Sequence, residues 1–95
     1  MVTMIPVTPE QIEELVALAR ADRALWDLFK QREKETEEYF RANPNADTPD
    51  VLPKPTIGNM AKDLCIRKYG NAPLDYGYLI MEIRRQVRVE LGLKV

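Results

Sequence analysis

The first part of the chain has apolar residues at the three- and four-residue spacing of an amphipathic helix. Thr8 and Gln11 are spaced as the two ends of a capping box, and Pro9 stands at the first helical position, where proline is favoured. The pattern therefore predicts a helix that starts at Thr8. Its apolar face comprises Ile12, Leu15, Val16, Leu18 and Ala19.

A second apolar group continues this periodicity, with its centre rotated by about a quarter turn. This group comprises Ala21, Leu25, Trp26, Leu28 and Phe29. Asp22 lies inside the combined apolar arc, and two interpretations are open. Either Asp22 is the N-cap of a second helix after a bend or break, which we favour, or one continuous helix brings Asp22 against an arginine from elsewhere. Residues 8–42 are thus predicted to be one long helix or two helices.

The middle of this element, residues 30–38, contains no strongly apolar side chain, although its residues are acceptable helix formers. Lys34 and Glu38 are four residues apart, a spacing at which opposite charges support a helix. We expect this segment to project outward through solvent. Its glutamates point in different directions and do not converge as metal ligands do, so no metal site is predicted. Asn43 precedes a proline and is expected to end the helix.

A proline-rich stretch separates this element from the rest of the chain. Residues 43–55 hold four prolines and several turn formers, so they predict an extended connector. Val51 and Leu52 are expected to pin the connector to the core. An SH3-type ligand is the less favoured interpretation, because the stretch lacks a regular polyproline motif with flanking basic residues.

The C-terminal part, residues 56–91, predicts a helical hairpin. Thr56 is the expected N-cap of its first helix, and Gly70 is the expected left-handed terminator. The apolar face of that helix comprises Ile57, Met60, Ala61, Leu64 and Cys65. The next helix is expected to start at residues 71–73.

The last helix has an apolar stripe that comprises Tyr76, Ile80, Ile83, Val87 and Leu91. Residues 86–95 also alternate between apolar and polar, which is typical of a strand. We expect helix to about Leu91 and keep a terminal strand as the alternative. The predicted fold class is all-α: a long, possibly kinked N-terminal helix packed on a C-terminal helical hairpin, joined by the proline-rich connector. With 95 residues, the chain is expected to form a single small domain, 1–95.

The composition excludes many kinds of active site. The chain has no histidine and no serine, so it cannot build a Ser-His-Asp triad, a Cys-His pair or a histidine metal site. Cys65 is the one cysteine, which excludes an internal disulfide and fits the reducing cytoplasm. We expect no enzyme activity, no cofactor, no metal, no secretion signal and no membrane anchor. Cys65 itself is predicted to be a buried, inert thiol.

The net charge of −1 hides an uneven distribution. Residues 1–50 carry six basic and eleven acidic groups, whereas residues 51–95 carry eight basic and four acidic groups. The favoured interpretation is that the two halves attract each other within one fold or across a dimer. The alternative is that the basic half faces an anionic partner.

No motif identifies the biochemical task, so the functional hypothesis rests on surfaces. The chain is predicted to be a small, non-catalytic protein-binding module of adaptor or inhibitor type. We expect it to self-associate through its apolar helix faces as a homodimer, since small cores are often completed by a second copy. The candidate contact residues are Trp26, Phe29, Tyr39 and Phe40. The alternative is a helix-turn-helix-like DNA-binding regulator whose third helix uses Arg84, Arg85 and Arg88.

Overall fold

The computed structural model describes residues 3–45, 54–75 and 77–95. Within these residues, the helices and strands follow one another as β1 (Met4–Ile5), α1 (Pro9–Ala21), α2 (Arg23–Ala42), α3 (Ile57–Tyr69), β2 (Ala72–Pro73) and α4 (Gly77–Leu91). The two strands are only two residues long. The predicted all-α class is confirmed.

The N-terminal element is broken at Asp22, as we favoured from the sequence. The Asp22 amide donates to the carbonyl oxygens of Leu18 and Ala19, 3.3 and 3.2 Å away, and closes α1. Its carboxylate accepts a hydrogen bond of 3.2 Å from the Leu25 amide and so caps α2. The predicted capping box at the start of α1 is also present.

The core contains residues from all four helices. Its buried members are Leu15, Val16, Ala19, Trp26, Phe29, Ile57, Met60, Ala61, Leu64, Cys65, Leu79, Ile83 and Val87. The apolar face predicted for α3 is buried in full. Leu18, which was assigned to the apolar face of α1, is exposed.

The charged part of α2 does not project into solvent, and this expectation was wrong. The Glu33 side chain has 0% exposure and lies against α4, where it pairs with Arg84 and Arg88. The sequence pattern missed this because a glutamate in a charged stretch is usually solvated, whereas here two cations from another helix compensate for its burial.

The start of the last helix also differs from the prediction. Residues 71–73 do not begin α4, because Ala72 and Pro73 pair in parallel with Met4 and Ile5. The Ala72 amide donates to the Thr3 carbonyl oxygen at 2.9 Å, and the Leu74 amide donates to Ile5 at 2.7 Å. Residues before a proline disfavour helical geometry, which suits this extended segment. The predicted left-handed Gly70 is confirmed, with a φ of 74°.

The C-terminal segment is helical to Leu91, so the alternative of a terminal strand is wrong. The helix closes in a Schellman motif: Gly92 has a φ of 73°, and the Leu93 amide donates to the Arg88 carbonyl oxygen at 2.9 Å. The stripe residues Ile83 and Val87 are buried as predicted. The predictions for Tyr76, and for the core contacts of residues 51–52, lie outside the described residues.

Candidate protein-interaction surface

Two of the predicted contact residues belong to the core. Trp26 is 6% exposed and Phe29 is 0% exposed, and their rings meet edge to face with 6.0 Å between centroids. The Trp26 indole N–H donates to Glu90 at 2.9 Å. Because both side chains are buried within the fold, Trp26 and Phe29 offer almost no surface to a partner.

The other two predicted contact residues lie at the C-terminal end of α2. The rings of Tyr39 and Phe40 pack edge to face, with centroids 5.5 Å apart and planes at 81°. Tyr39 is half-buried, whereas Phe40 is 37% exposed. These two residues form a small aromatic patch whose accessible part is mainly one ring.

The three arginines assigned to the DNA-binding alternative are each paired with a carboxylate. Arg84 donates from Nε and Nη2 to the two Glu33 oxygens, at 2.8 and 3.0 Å. Arg88 donates from Nη1 to Glu33 at 2.8 Å and to Glu37 at 2.9 Å. Arg85 pairs with a glutamate of its own helix. These arginines therefore balance acidic partners within the fold and do not present unpaired charge to a phosphate backbone.

These pairs shift the ionisation of the groups that form them. The hydrogen bonds that Arg88 donates to Glu33 and Glu37 raise the pKa of Arg88 above its ordinary value. The hydrogen bond from Arg88 lowers the pKa of Glu37, and burial opposes this effect only in part. Both partners therefore stay charged over the physiological pH range.

The largest exposed apolar side chains of α4 share the face that points away from the core. Tyr78 is 70% exposed, Met81 is 67% exposed and Val89 is 58% exposed. Glu82 and Arg85 lie between them on the same face. We call these five residues the outer stripe of α4. Val95 lies next to the stripe, since it lines a shallow depression together with Tyr78 and Met81.

The polar centre of the outer stripe is an ion pair between Glu82 and Arg85. Arg85 donates from Nε and Nη2 to the two carboxylate oxygens, the first at 3.1 Å, and Gln86 donates to Glu82 at 2.9 Å. Hydrogen bonds from Arg85 and then Gln86 lower the pKa of Glu82, although burial opposes them. The hydrogen bonds that Arg85 donates to Glu82 raise the pKa of Arg85. The stripe thus carries a fixed pair of opposite charges between apolar ends.

An open cleft runs beside the outer stripe, between the N-terminal parts of α1 and α4. It has a volume of about 490 Å³ and is lined by Val7, Pro9, Ile12, Glu13, Tyr78 and Glu82. Its lining is apolar apart from the two carboxylates and the Tyr78 phenol. The cleft therefore adds apolar surface on the α1 side of the stripe.

Cys65 lies away from this surface. It is buried, and desolvation raises the pKa of its thiol, which keeps it in the unreactive protonated form. Across residues 3–45, 54–75 and 77–95, no group of three or more cysteine, aspartate or glutamate side chains is arranged to hold a metal ion. None of the helices in those ranges combines the length and the apolar character needed to cross a membrane.

Sequence reasoning missed the outer stripe. Its signal is a second helical spacing within α4, in which Tyr78, Glu82, Arg85 and Val89 alternate with the buried stripe. A helix with one apolar face in the core and further apolar residues on the opposite side gives no clear single period. The two faces become separable only when the burial of each residue is known.

Comparison of the chain with models of protein families, with curated proteins and with solved structures finds no match. Any functional inference for this chain therefore depends on the geometry and chemistry of its own residues. The outer stripe of α4 is the strongest such feature among the described residues.

Proposed function

We propose that this protein is a small, non-catalytic protein-binding domain that acts in the cytoplasm, with the outer stripe of α4 as its binding surface. The observation that carries the proposal is the exposure of Tyr78, Met81 and Val89 on one face of one helix. Isolated exposed apolar residues are common on monomers, but a group of them on one face marks a site of association.

The chemistry of the stripe supports this proposal. Fully covering one large apolar side chain is worth about 1.5–3 kcal/mol, so three such side chains provide a substantial driving force. Tyrosine, methionine and arginine are enriched in protein interfaces, and Tyr78, Met81 and Arg85 supply all three. Met81 is unbranched and flexible, which lets it adapt to an opposing surface.

The ionisable groups of the fold support a binding role over a catalytic one. The carboxylates of Glu33 and Glu90 each pair with two or more donors, and these contacts join helices. Groups that are satisfied in this way stabilise the fold and are poorly placed to exchange protons with a substrate. Cys65 is buried.

Site-specific photo-cross-linking tests the proposed surface. A photoreactive amino acid replaces Met81 in the full chain, expressed in its native host, and irradiation captures any protein within a few ångströms. The matched control carries the same group in place of Lys62, an exposed residue of α3. We expect discrete protein adducts from position 81 and none from position 62. Failure to form adducts at position 81, or equal adducts at both positions, would contradict the proposal.

A further inference from the structure

We propose that the partner of the outer stripe is a second copy of this chain, whose α4 packs antiparallel so that Glu82 of each copy faces Arg85 of the other. This inference rests on the proposed function and specifies its partner. It depends on the order and spacing of the side chains along the stripe, which are those of a surface complementary to itself.

The central residues of the stripe have a symmetric order. Tyr78, Glu82, Arg85 and Val89 are separated by four, three and four residues, which is the same spacing from either end. At 3.6 residues per turn these four positions fall within an arc of about 60° on the helix surface. They therefore form a single row, with an apolar side chain at each end and opposite charges at the centre.

A two-fold axis through the middle of this row matches each residue with a complementary one. In a two-fold symmetric interface the same patch contacts itself, so residue i meets residue j and j meets i. An antiparallel arrangement centred between Ile83 and Arg84 brings Tyr78 opposite the second copy's Val89. It also brings Glu82 opposite the second copy's Arg85. Every contact then joins apolar to apolar or acid to base, and each occurs twice.

A parallel arrangement lacks this complementarity. A parallel two-fold axis would place Glu82 against Glu82 and Arg85 against Arg85, and like charges in direct opposition disfavour association. The antiparallel arrangement converts the internal Glu82–Arg85 ion pair of each chain into a cluster of two acids and two bases. Charge complementarity therefore favours a second copy of this chain as the partner, and it favours an antiparallel orientation of the two α4 helices.

Neighbouring charges leave the row free for this contact. Arg84 and Arg88 lie at the side of the row and are held by Glu33. Met81 lies at the same side of the row and adds apolar surface. The face belongs to a helix of only 15 residues, so it buries less than the ~1,600 Å² of a standard interface. We therefore expect a weak dimer that dissociates on dilution.

Charge reversal tests the arrangement directly. Sedimentation velocity is run from low micromolar to about 1 mM protein on the wild type, on Glu82→Arg, on Arg85→Glu and on the double variant. Each single variant places like charges in opposition, and we expect its dimer affinity to fall at least about tenfold. The double variant restores opposite charges and should dimerise like the wild type. An equimolar mixture of the two single variants should form a heterodimer.

Circular dichroism shows whether each variant is folded. If a single charge variant fails to fold, Val89→Glu replaces it, because Val89 is exposed and the new carboxylate would face the electron-rich ring of Tyr78 in the second copy. A wild type that stays monomeric at 1 mM, or folded single variants that dimerise as strongly as the wild type, would overturn the inference. Adducts at position 81 with a different protein, together with a monomeric wild type, would refute the second copy as partner but keep the proposed binding surface.

Discussion

Glu33 and Arg84 are 51 residues apart in the chain and form a two-point ion pair, with Nε to Oε1 at 2.8 Å and Nη2 to Oε2 at 3.0 Å. Arg88 adds a third hydrogen bond to the same carboxylate. The acid comes from the acidic half of the chain and both bases come from the basic half. The favoured interpretation of the charge asymmetry was that the two halves attract each other within one fold or across a dimer, and the Glu33 contacts show such attraction within the fold.

Glu33→Ala should destabilise the protein by about 2–3 kcal/mol. The substitution removes three charge-assisted hydrogen bonds, while Arg84 and Arg88 regain part of their hydration because their side chains are 44% and 16% exposed. Glu38→Gln is the control, because Glu38 lies on the exposed side of α2 and should change stability by less than about 0.5 kcal/mol. Urea denaturation measures both variants, and equal stability for the two would disprove the role of Glu33.

Acid should destabilise the fold. The hydrogen bond from Arg88 holds the pKa of Glu37 below its ordinary value of 4.5. Burial alone would raise the pKa of Glu90, but hydrogen bonds from Trp26 and Lys30 and the positive charges of Arg20 and Lys30 together lower it. A carboxylate whose pKa is lower in the folded protein than in the unfolded chain stabilises the fold. This stabilisation is complete at pH values above the pKa of the unfolded chain, and it is lost as the pH falls through the pKa of the folded protein.

The urea midpoint should therefore stay level from about pH 6 to pH 8, because the chain has no histidine to titrate there. It should then fall below about pH 4.5. Glu90→Gln should make the acidic part of this profile shallower. A wild-type urea midpoint that is constant down to pH 3 would show that folding does not lower the pKa values of these carboxylates.

Asp22→Ala should cost about 1 kcal/mol, because it removes the side chain that caps α2. Asp22→Asn keeps an oxygen that can accept from the Leu25 amide, so it should retain most of the stability. Thermal unfolding of the two variants distinguishes the loss of the capping hydrogen bond from the loss of the negative charge. Equal losses for alanine and asparagine would mean that the Asp22 side-chain oxygen does not stabilise the break between α1 and α2.

Phe29→Ala should destabilise the protein by about 3–5 kcal/mol, because Phe29 has no exposed surface and its loss leaves a cavity. Met81→Ala should leave the stability of the dilute monomer within about 0.5 kcal/mol, since Met81 is mostly exposed. Chemical denaturation at low micromolar concentration measures both. A large decrease in the free energy of unfolding for Met81→Ala would place this side chain in the core and not in the outer stripe.

The sequence predicted the helix ends correctly where contacts between residues close together in the chain determine them. Thr8, Asp22 and Thr56 cap helices because their side-chain oxygens accept from amides three residues later. Gly70 ends α3 because it adopts a positive φ without steric cost. These effects depend on neighbours in the chain and are visible in the sequence alone.

Long-range contacts account for what the sequence could not predict. Glu33 is buried only because Arg84 and Arg88 reach it from α4, and no local pattern contains that information. The alternating apolar residues near the C-terminus resembled a strand because α4 has apolar residues on two faces, with Val87 in the core and Val89 outside. Tertiary packing determines which apolar face of α4 is buried and which is exposed.

Methionine oxidation footprinting tests whether a protein covers the outer stripe of α4 in the cell. Met81 and Met4 are exposed, whereas Met60 is buried. Met4 therefore serves as the exposed internal control, and Met60 serves as the buried one. In dilute purified protein, Met81 and Met4 should oxidise quickly and Met60 slowly. In intact host cells we expect oxidation of Met81 to slow relative to that of Met4. Oxidation of Met81 as rapid as that of Met4 in cells would contradict it.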